Sequence, residues 1–146
     1  MADLTLKIVT PERLVFEGMA DSISAMTEMG EVTILPGHAP LVALLRAGEM
    51  RLKTKNASSL LSVSTGLLEV RTDNIVIILA DTAERAEELD VQKIEEAKAL
   101  AQKRLLEARS QGEVAYADAA SHLERELARE RVARKGKYRD VGKARP

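Results

Sequence analysis

The chain has 146 residues, 22 Lys and Arg against 23 Asp and Glu, and a formal net charge of −1. That length suits one compact domain, or a small domain with an appendage, and the charge gives no general attraction to nucleic acid or anionic lipid. Cysteine is absent and aromatic residues are 2% (Phe16, Tyr116 and Tyr138), so disulfides, thiolate metal sites, cysteine nucleophiles and base-stacking platforms are excluded together. The lack of cysteine suits a reducing compartment. The opening Met1-Ala2-Asp3-Leu4 has neither the basic start nor the apolar stretch of a secretion signal, and no run approaches the roughly 18 apolar residues of a membrane helix.

From the start to about Ala83 the pattern is that of half-buried strands. Leu4, Leu6 and Ile8 alternate with Thr5, Lys7 and Val9; Ile23 and Ala25 with Ser22 and Ser24; Val32 and Ile34 with Glu31 and Thr33. Met50, Leu52 and Thr54 alternate with Arg51, Lys53 and Lys55, and Leu61, Val63, Leu68 and Val70 continue the series around Gly66. Asn74–Ala80 is apolar at nearly every position and predicts a strand buried on both faces. Turn residues separate the runs at Pro11-Glu12-Arg13, Met29-Gly30, Pro36-Gly37, Ala47-Gly48, Asn56 and Asp73-Asn74. Many short strands at close spacing predict a sandwich or flattened barrel. No stretch is long enough for βαβ units, which disfavours a parallel sheet.

Beyond Ala83 the composition changes to helix formers, and no proline occurs between Leu41 and Arg145. Asp90 is placed to cap a helix, with Leu89 and Ile94 as a hydrophobic staple. The helix is expected to run to about Ser110, with Gly112 in the left-handed conformation that ends it. A second helix is expected from Glu113 to about Lys135, before Gly136. The predicted seam is Val91, Ile94, Ala97, Ala101, Leu105 and Ala108 against Tyr116, Ala120, Leu123 and Leu127. It buries mainly alanine, so the hairpin is only modestly stable alone and able to open without unfolding the β part. The first 83 residues hold 7 Lys and Arg against 10 Asp and Glu, net −3, and the remainder holds 15 against 13, net +2. The positive charge falls late, at Arg129, Arg131, Arg134, Lys135, Lys137, Arg139, Lys143 and Arg145. Two readings fit: a helix end and tail in solvent, or an electrostatic hold on an acidic partner.

No catalytic constellation is legible. There is no phosphate-binding Gly-x-x-x-x-Gly-Lys loop and no Gly-x-Ser-x-Gly elbow. His38, between Gly37 and Ala39-Pro40, reads as a hydrogen-bonded loop residue, and His122 as a solvated residue beside the helical seam. No metal is expected, because neither histidine has partners spaced to chelate one.

Gly30-Glu31-Val32-Thr33-Ile34-Leu35-Pro36-Gly37-His38-Ala39-Pro40-Leu41 resembles the signature loop of the epsilon subunits of bacterial F-type ATP synthases. Val9-Thr10-Pro11-Glu12-Arg13 with Val15-Phe16-Glu17-Gly18, then Gly66-Leu67-Leu68-Glu69-Val70, then Leu79-Ala80-Asp81-Thr82-Ala83 resemble further pieces of that family in the same order. The resemblance implies a ten-stranded N-terminal β-sandwich followed by an antiparallel two-helix hairpin, dividing as residues 1–83 (rotor-binding) and 84–146 (regulatory hairpin with a basic tail). It implies a non-catalytic central-stalk subunit that binds the gamma subunit and the c-subunit ring, couples rotation to proton flow, and inhibits ATP hydrolysis when the hairpin extends toward the alpha and beta subunits. The expected location is peripheral, on the cytoplasmic face of the bacterial inner membrane, with membrane contact only through the complex.

For the ring contact the resemblance points to Glu28, Gly30 and Glu31, with His38 nearby; for the extended arm, to Arg129, Arg131, Arg134 and Lys135. Some members bind ATP through Ile/Leu-Asp-x-x-Arg-Ala. Here Leu89 and Asp90 match, while Lys93 replaces the arginine and Ile94 the alanine. Lysine keeps the charge and loses the planar fork, so Leu89, Asp90 and Lys93 make at most a weak regulatory ATP site, and no cofactor is required. A nucleotide-sensing module and a free-standing adaptor are the alternative readings.

Overall fold

The computed structural model describes the backbone of residues 3–143 and the side chains of residues 3–136. The expectations for Tyr138 and for the side chains of Lys137, Arg139, Lys143 and Arg145 lie outside the described residues. Ten strands come first: β1 (Leu4–Val9), β2 (Leu14–Ala20), β3 (Ser22–Thr27), β4 (Gly30–Ile34), β5 (Leu41–Leu45), β6 (Gly48–Lys53), β7 (Ser58–Val63), β8 (Gly66–Arg71), β9 (Ile75–Ala80) and β10 (Ala83–Arg85). A 3₁₀ turn at Ala86–Glu88 leads to helices α1 (Val91–Ala108) and α2 (Glu113–Lys143).

The strands form two layers. One is ordered β10-β7-β6-β3-β4 and the other β5-β8-β9-β1-β2, joined by the single pairing of Thr27 with Leu45. All pairings are antiparallel except β1 with β9, where two strands distant in sequence meet side by side. The predicted alternation places Leu4, Leu6, Ile8, Leu68, Val70, Val76 and Ile78 of one layer against Ile23, Ile34, Met50, Leu52, Leu61 and Val63 of the other. Among the described residues that interior contains none from either helix. Gly66 pairs with Leu45 on one side and Ala80 on the other, and a Cβ there would run into the Leu79 carbonyl oxygen. The close approach therefore requires glycine.

Three expectations change. β9 alternates, with Val76, Ile78 and Ala80 buried and Ile75 and Leu79 exposed, because nothing covers the outer face of its layer. The composition change at Ala83 falls on the first residue of β10, which pairs Glu84 and Arg85 with β7, so the β part runs past the expected boundary. Helix α2 continues through Gly136, which lies so close to the 3₁₀ turn that a Cβ would stand 2.7 Å from that of Ala86. Glycine here serves a close contact, not a helix end.

The two helices follow the capping chemistry. Asp90 accepts hydrogen bonds from the backbone N–H groups of Gln92 and Lys93 at 3.0 and 3.4 Å, satisfying donors that the first helical turn leaves unpaired. Gly112, at φ 105°, lets the chain reverse. Ile94, Ala101 and Ala108 are buried on α1 as the period predicts. Tyr116 is exposed, so the expected seam on α2 is displaced. Its buried residues are Glu126, Ala128, Val132 and Ala133, since α2 packs on α1 with one side and on β6 and β7 with another.

Candidate functional site

The face of α2 that meets the sandwich lies over one register row of the outer sheet, Glu84–Ser62–Glu49, running across β10, β7 and β6. Alternation that sends Ala83, Leu61, Val63 and Met50 inward sends these three outward. Arg129 reaches Glu84 with two hydrogen bonds, Nη2 to Oε1 at 2.6 Å and Nε to Oε2 at 3.2 Å, and donates from Nη1 to Glu126 at 2.6 Å. Burial works to lower the Arg129 pKa, and the Glu84 and Glu126 carboxylates outweigh it and raise it above the usual value. Six residues along the helix, Lys135 Nζ donates to Glu49 at 2.5 Å. Between these ion pairs Ala128 and Val132 are buried on α2, and Leu60 and Ser62 are buried on β7.

The helices are joined to each other by the same chemistry. Lys98 meets Glu130 at 3.0 Å, and Arg134 meets Glu95 at 2.7 Å. The Lys98 ammonium, paired with it, holds the Glu130 pKa below its ordinary 4.5 with help from Arg134, against the opposing effect of burial. Where the chain leaves the sandwich, Arg13 donates to Glu88 at 2.5 Å and to the Ala83 carbonyl at 3.3 Å. Glu88 is foremost in raising the Arg13 pKa. Thus three of the late basic residues, Arg129, Arg134 and Lys135, are held by carboxylates of this same chain. Neither reading of the basic cluster, free tail or partner contact, included that arrangement. Arg131 is exposed and makes no ion pair among the described residues. Sequence reasoning missed Glu49, Glu84 and Glu126 as their partners; the outward position of Glu49 on a strand was the one available signal.

Of the expected ring-contact residues, Glu28, Gly30 and Glu31 lie together and His38 lies apart. Glu28 and Met29 form the β3–β4 turn, fixed by Thr27 Oγ1 donating to the Gly30 carbonyl at 2.7 Å, with Gly30 at φ 108°. Met29 is 84% exposed. Glu31 is the second residue of β4, in an ion pair with Arg51. His38 lies beyond the other end of β4. Its N–H donates to Leu35 and its ring is bonded to the Ala39 carbonyl, while the Gly37 N–H donates to Asn74 Oδ1 at 2.7 Å. Five residues at about 3.3 Å each separate the two ends, so His38 is not near the turn. The candidate nucleotide residues do cluster at the start of α1. There the Asp90 carboxylate is already the helix cap, Lys93 is exposed, and the Leu89 N–H donates to Ala86 at 3.2 Å.

A second surface lies on the opposite layer. The register aligns Leu44, Leu67, Leu79, Val9 and Leu14 across β5, β8, β9, β1 and β2, all on the outer face. Leu44, Leu79 and Leu14 are each about half exposed, and Val42 lies exposed in the next outward row. Contiguous exposed apolar area of this kind marks an interaction surface. Among the described residues no three His, Asp or Glu side chains are placed to hold a metal ion, and no helix is long and apolar enough to cross a membrane.

Comparison with known proteins gives a consistent result. The family model of the ATP synthase delta/epsilon chain beta-sandwich domain matches residues 3–86. An ATP synthase epsilon chain of Dehalococcoides mccartyi (strain BAV1) is 44% identical over 135 residues, covering 92% of this chain and 95% of that one. That of Moorella thermoacetica is 44% identical over 134 residues, covering 91% and 98%. A chain in the mitochondrial ATP synthase of Euglena gracilis, in a structure of OSCP/F1/c-ring, aligns with a TM-score of 0.71 at 22% identity, covering 85% of this chain and 77% of that one; this likeness is one of fold.

Proposed function

Because the chain belongs to the ATP synthase epsilon chains, we propose that it is a non-catalytic rotor subunit whose sandwich binds the shaft and whose helical hairpin is a releasable brake on ATP hydrolysis. The observation that carries this reading is that, among the described residues, no helical residue enters the sandwich interior. The hairpin is attached instead by an alanine-rich seam and by ion pairs to Glu84 and Glu49. Both pairs lie outside the sandwich core, so the hairpin can exchange them for solvent or new partners without opening that core, and a second state is reachable.

In the proposed assembly the apolar row from Leu44 to Leu14 meets the gamma subunit. The exposed β3–β4 turn, with Glu28, Gly30 and Glu31, meets the c-subunit ring, and His38 belongs to a different part of the contact. When the hairpin extends, Arg129, Arg134 and Lys135 leave their internal carboxylates and, with Arg131, become available to the alpha and beta subunits. The two sandwich contacts, with the gamma subunit and the ring, couple rotation to proton flow on the cytoplasmic face of the bacterial inner membrane. Removing the chain after Glu88 keeps β10 and tests the brake directly. The complex should still assemble and should hydrolyse ATP faster than with the full chain; equal hydrolysis would contradict the reading. Nucleotide sensing through Leu89, Asp90 and Lys93 is the second reading. It requires ATP to compete with the cap at Asp90, and titrating the isolated chain with ATP tests it.

A further inference from the structure

We propose that the cavity between α2 and the outer face of the β6–β3 sheet is a site for a phosphate-type anion. The cavity has a volume of about 440 Å³ and is distinct from the start of α1, where the candidate nucleotide residues lie. Its lining includes apolar Met26, Leu127 and Ala128 and four cations, Arg46 and Arg51 from the sandwich and Arg131 and Lys135 from α2.

The charge on these walls is not balanced internally. Arg51 is paired with Glu31 and Lys135 with Glu49. Arg46 and Arg131 make no ion pair or side-chain hydrogen bond among the described residues, and Glu124 is the one lining carboxylate left to offset them. Two guanidinium groups thus line one cavity without an internal carboxylate partner, Arg46 from the β part and Arg131 from α2. Guanidinium forks match the oxygens of a phosphate group in pairs, and an anion held between them would relieve their mutual repulsion. Arg46 is anchored at the start of the β5–β6 connection by its N–H donating to the Met26 carbonyl at 3.0 Å, whereas Arg131 rides on the helix. A bound anion would therefore bridge the two parts and favour the docked hairpin, because only that state brings both arginines to the cavity. This inference needs only the docked arrangement and stands whether or not the hairpin acts as a brake.

Inorganic pyrophosphate is the probe for a free anion, and vesicles of phosphatidylglycerol are the probe for a lipid headgroup. Calorimetric titration of the full chain at low ionic strength should give saturable one-to-one binding of pyrophosphate. Arg46→Ala with Arg131→Ala should weaken it on the order of tenfold or more, Arg46→Ala alone should weaken it less, and Lys103→Ala, on the exposed face of α1, should leave it unchanged. Pyrophosphate should also slow amide exchange in α2 of the parent chain and not of the double variant. Vesicle binding that the double substitution abolishes, with no pyrophosphate binding, would assign the phosphate to a lipid headgroup. If neither pyrophosphate nor vesicle binding responds to the double substitution, the proposal is overturned.

Discussion

Arg129 is the residue on which the docked hairpin most depends. Its guanidinium serves two carboxylates, Glu84 on the sandwich and Glu126 on its own helix, and all three side chains are no more than 22% exposed. Replacing it leaves both carboxylates poorly solvated and without a partner, a larger penalty than losing a surface ion pair. Arg129→Ala should lower the free energy of hairpin opening by about 2 kcal/mol, read from amide exchange across α2, while exchange in β1 and β9 stays as in the parent. A double-mutant cycle with Glu84→Gln should show that most of this loss is shared between the two positions. Glu130 gives a pH dependence at the same scale. Its carboxyl titrates below 4.5 in the folded chain because the Lys98 ammonium is paired with it. Its contribution is therefore complete above pH 4.5 and is lost as pH falls through the lowered folded value. Acid should loosen α1 from α2 in that range, and Lys98→Gln should reduce this part of the acid sensitivity.

At the scale of elements, Gly136 sets how closely α2 lies on the chain that leads into the hairpin. With an added Cβ only 2.7 Å from Ala86, Gly136→Leu should push the helix away and speed amide exchange in α2 without changing its helical content. Unchanged exchange would mean that the turn at Ala86–Glu88 simply yields. The elements also show how far sequence reasoning reaches. β1, β3, β4 and β6 were legible because only one face of each strand is apolar. β5 was not, since Leu41-Val42-Ala43-Leu44-Leu45 is apolar on both faces. The same circumstance made β9 look doubly buried, when its Ile75 and Leu79 belong to an exposed apolar surface. Strand periodicity reports polarity, and an apolar docking face has the polarity of a core. The start of α1 was read correctly from Asp90, whose capping is local. The buried face of α2 was not, because one helix packing on two neighbours has no single stripe. The Arg129–Glu84 contact spans 45 positions and leaves no local pattern.

For the whole molecule, the arrangement is a two-layer sandwich with its own closed interior and a two-helix arm held against one outer face. The outer face of the other layer is left apolar and exposed. Those two faces have different chemistry, ion pairs on one and bare leucines on the other, and that difference suits one for a contact that must release and the other for a permanent seat on the shaft. Raising the ionic strength should therefore favour opening of the arm while leaving the sandwich folded, since the Lys135–Glu49 pair, with its lysine half exposed, is screened and the core is not. Amide exchange at two salt concentrations would check this, and equal salt response in both parts would contradict it. The most direct measurement uses the absence of native cysteine. Glu49→Cys and Lys135→Cys, joined by a short bis-maleimide linker, would hold the arm on the sheet within the assembled complex. ATP hydrolysis by the tethered complex should rise to the level reached when the chain ends at Glu88, whereas hydrolysis that stays at the untethered level would show that the arm does not need to leave the sheet to act.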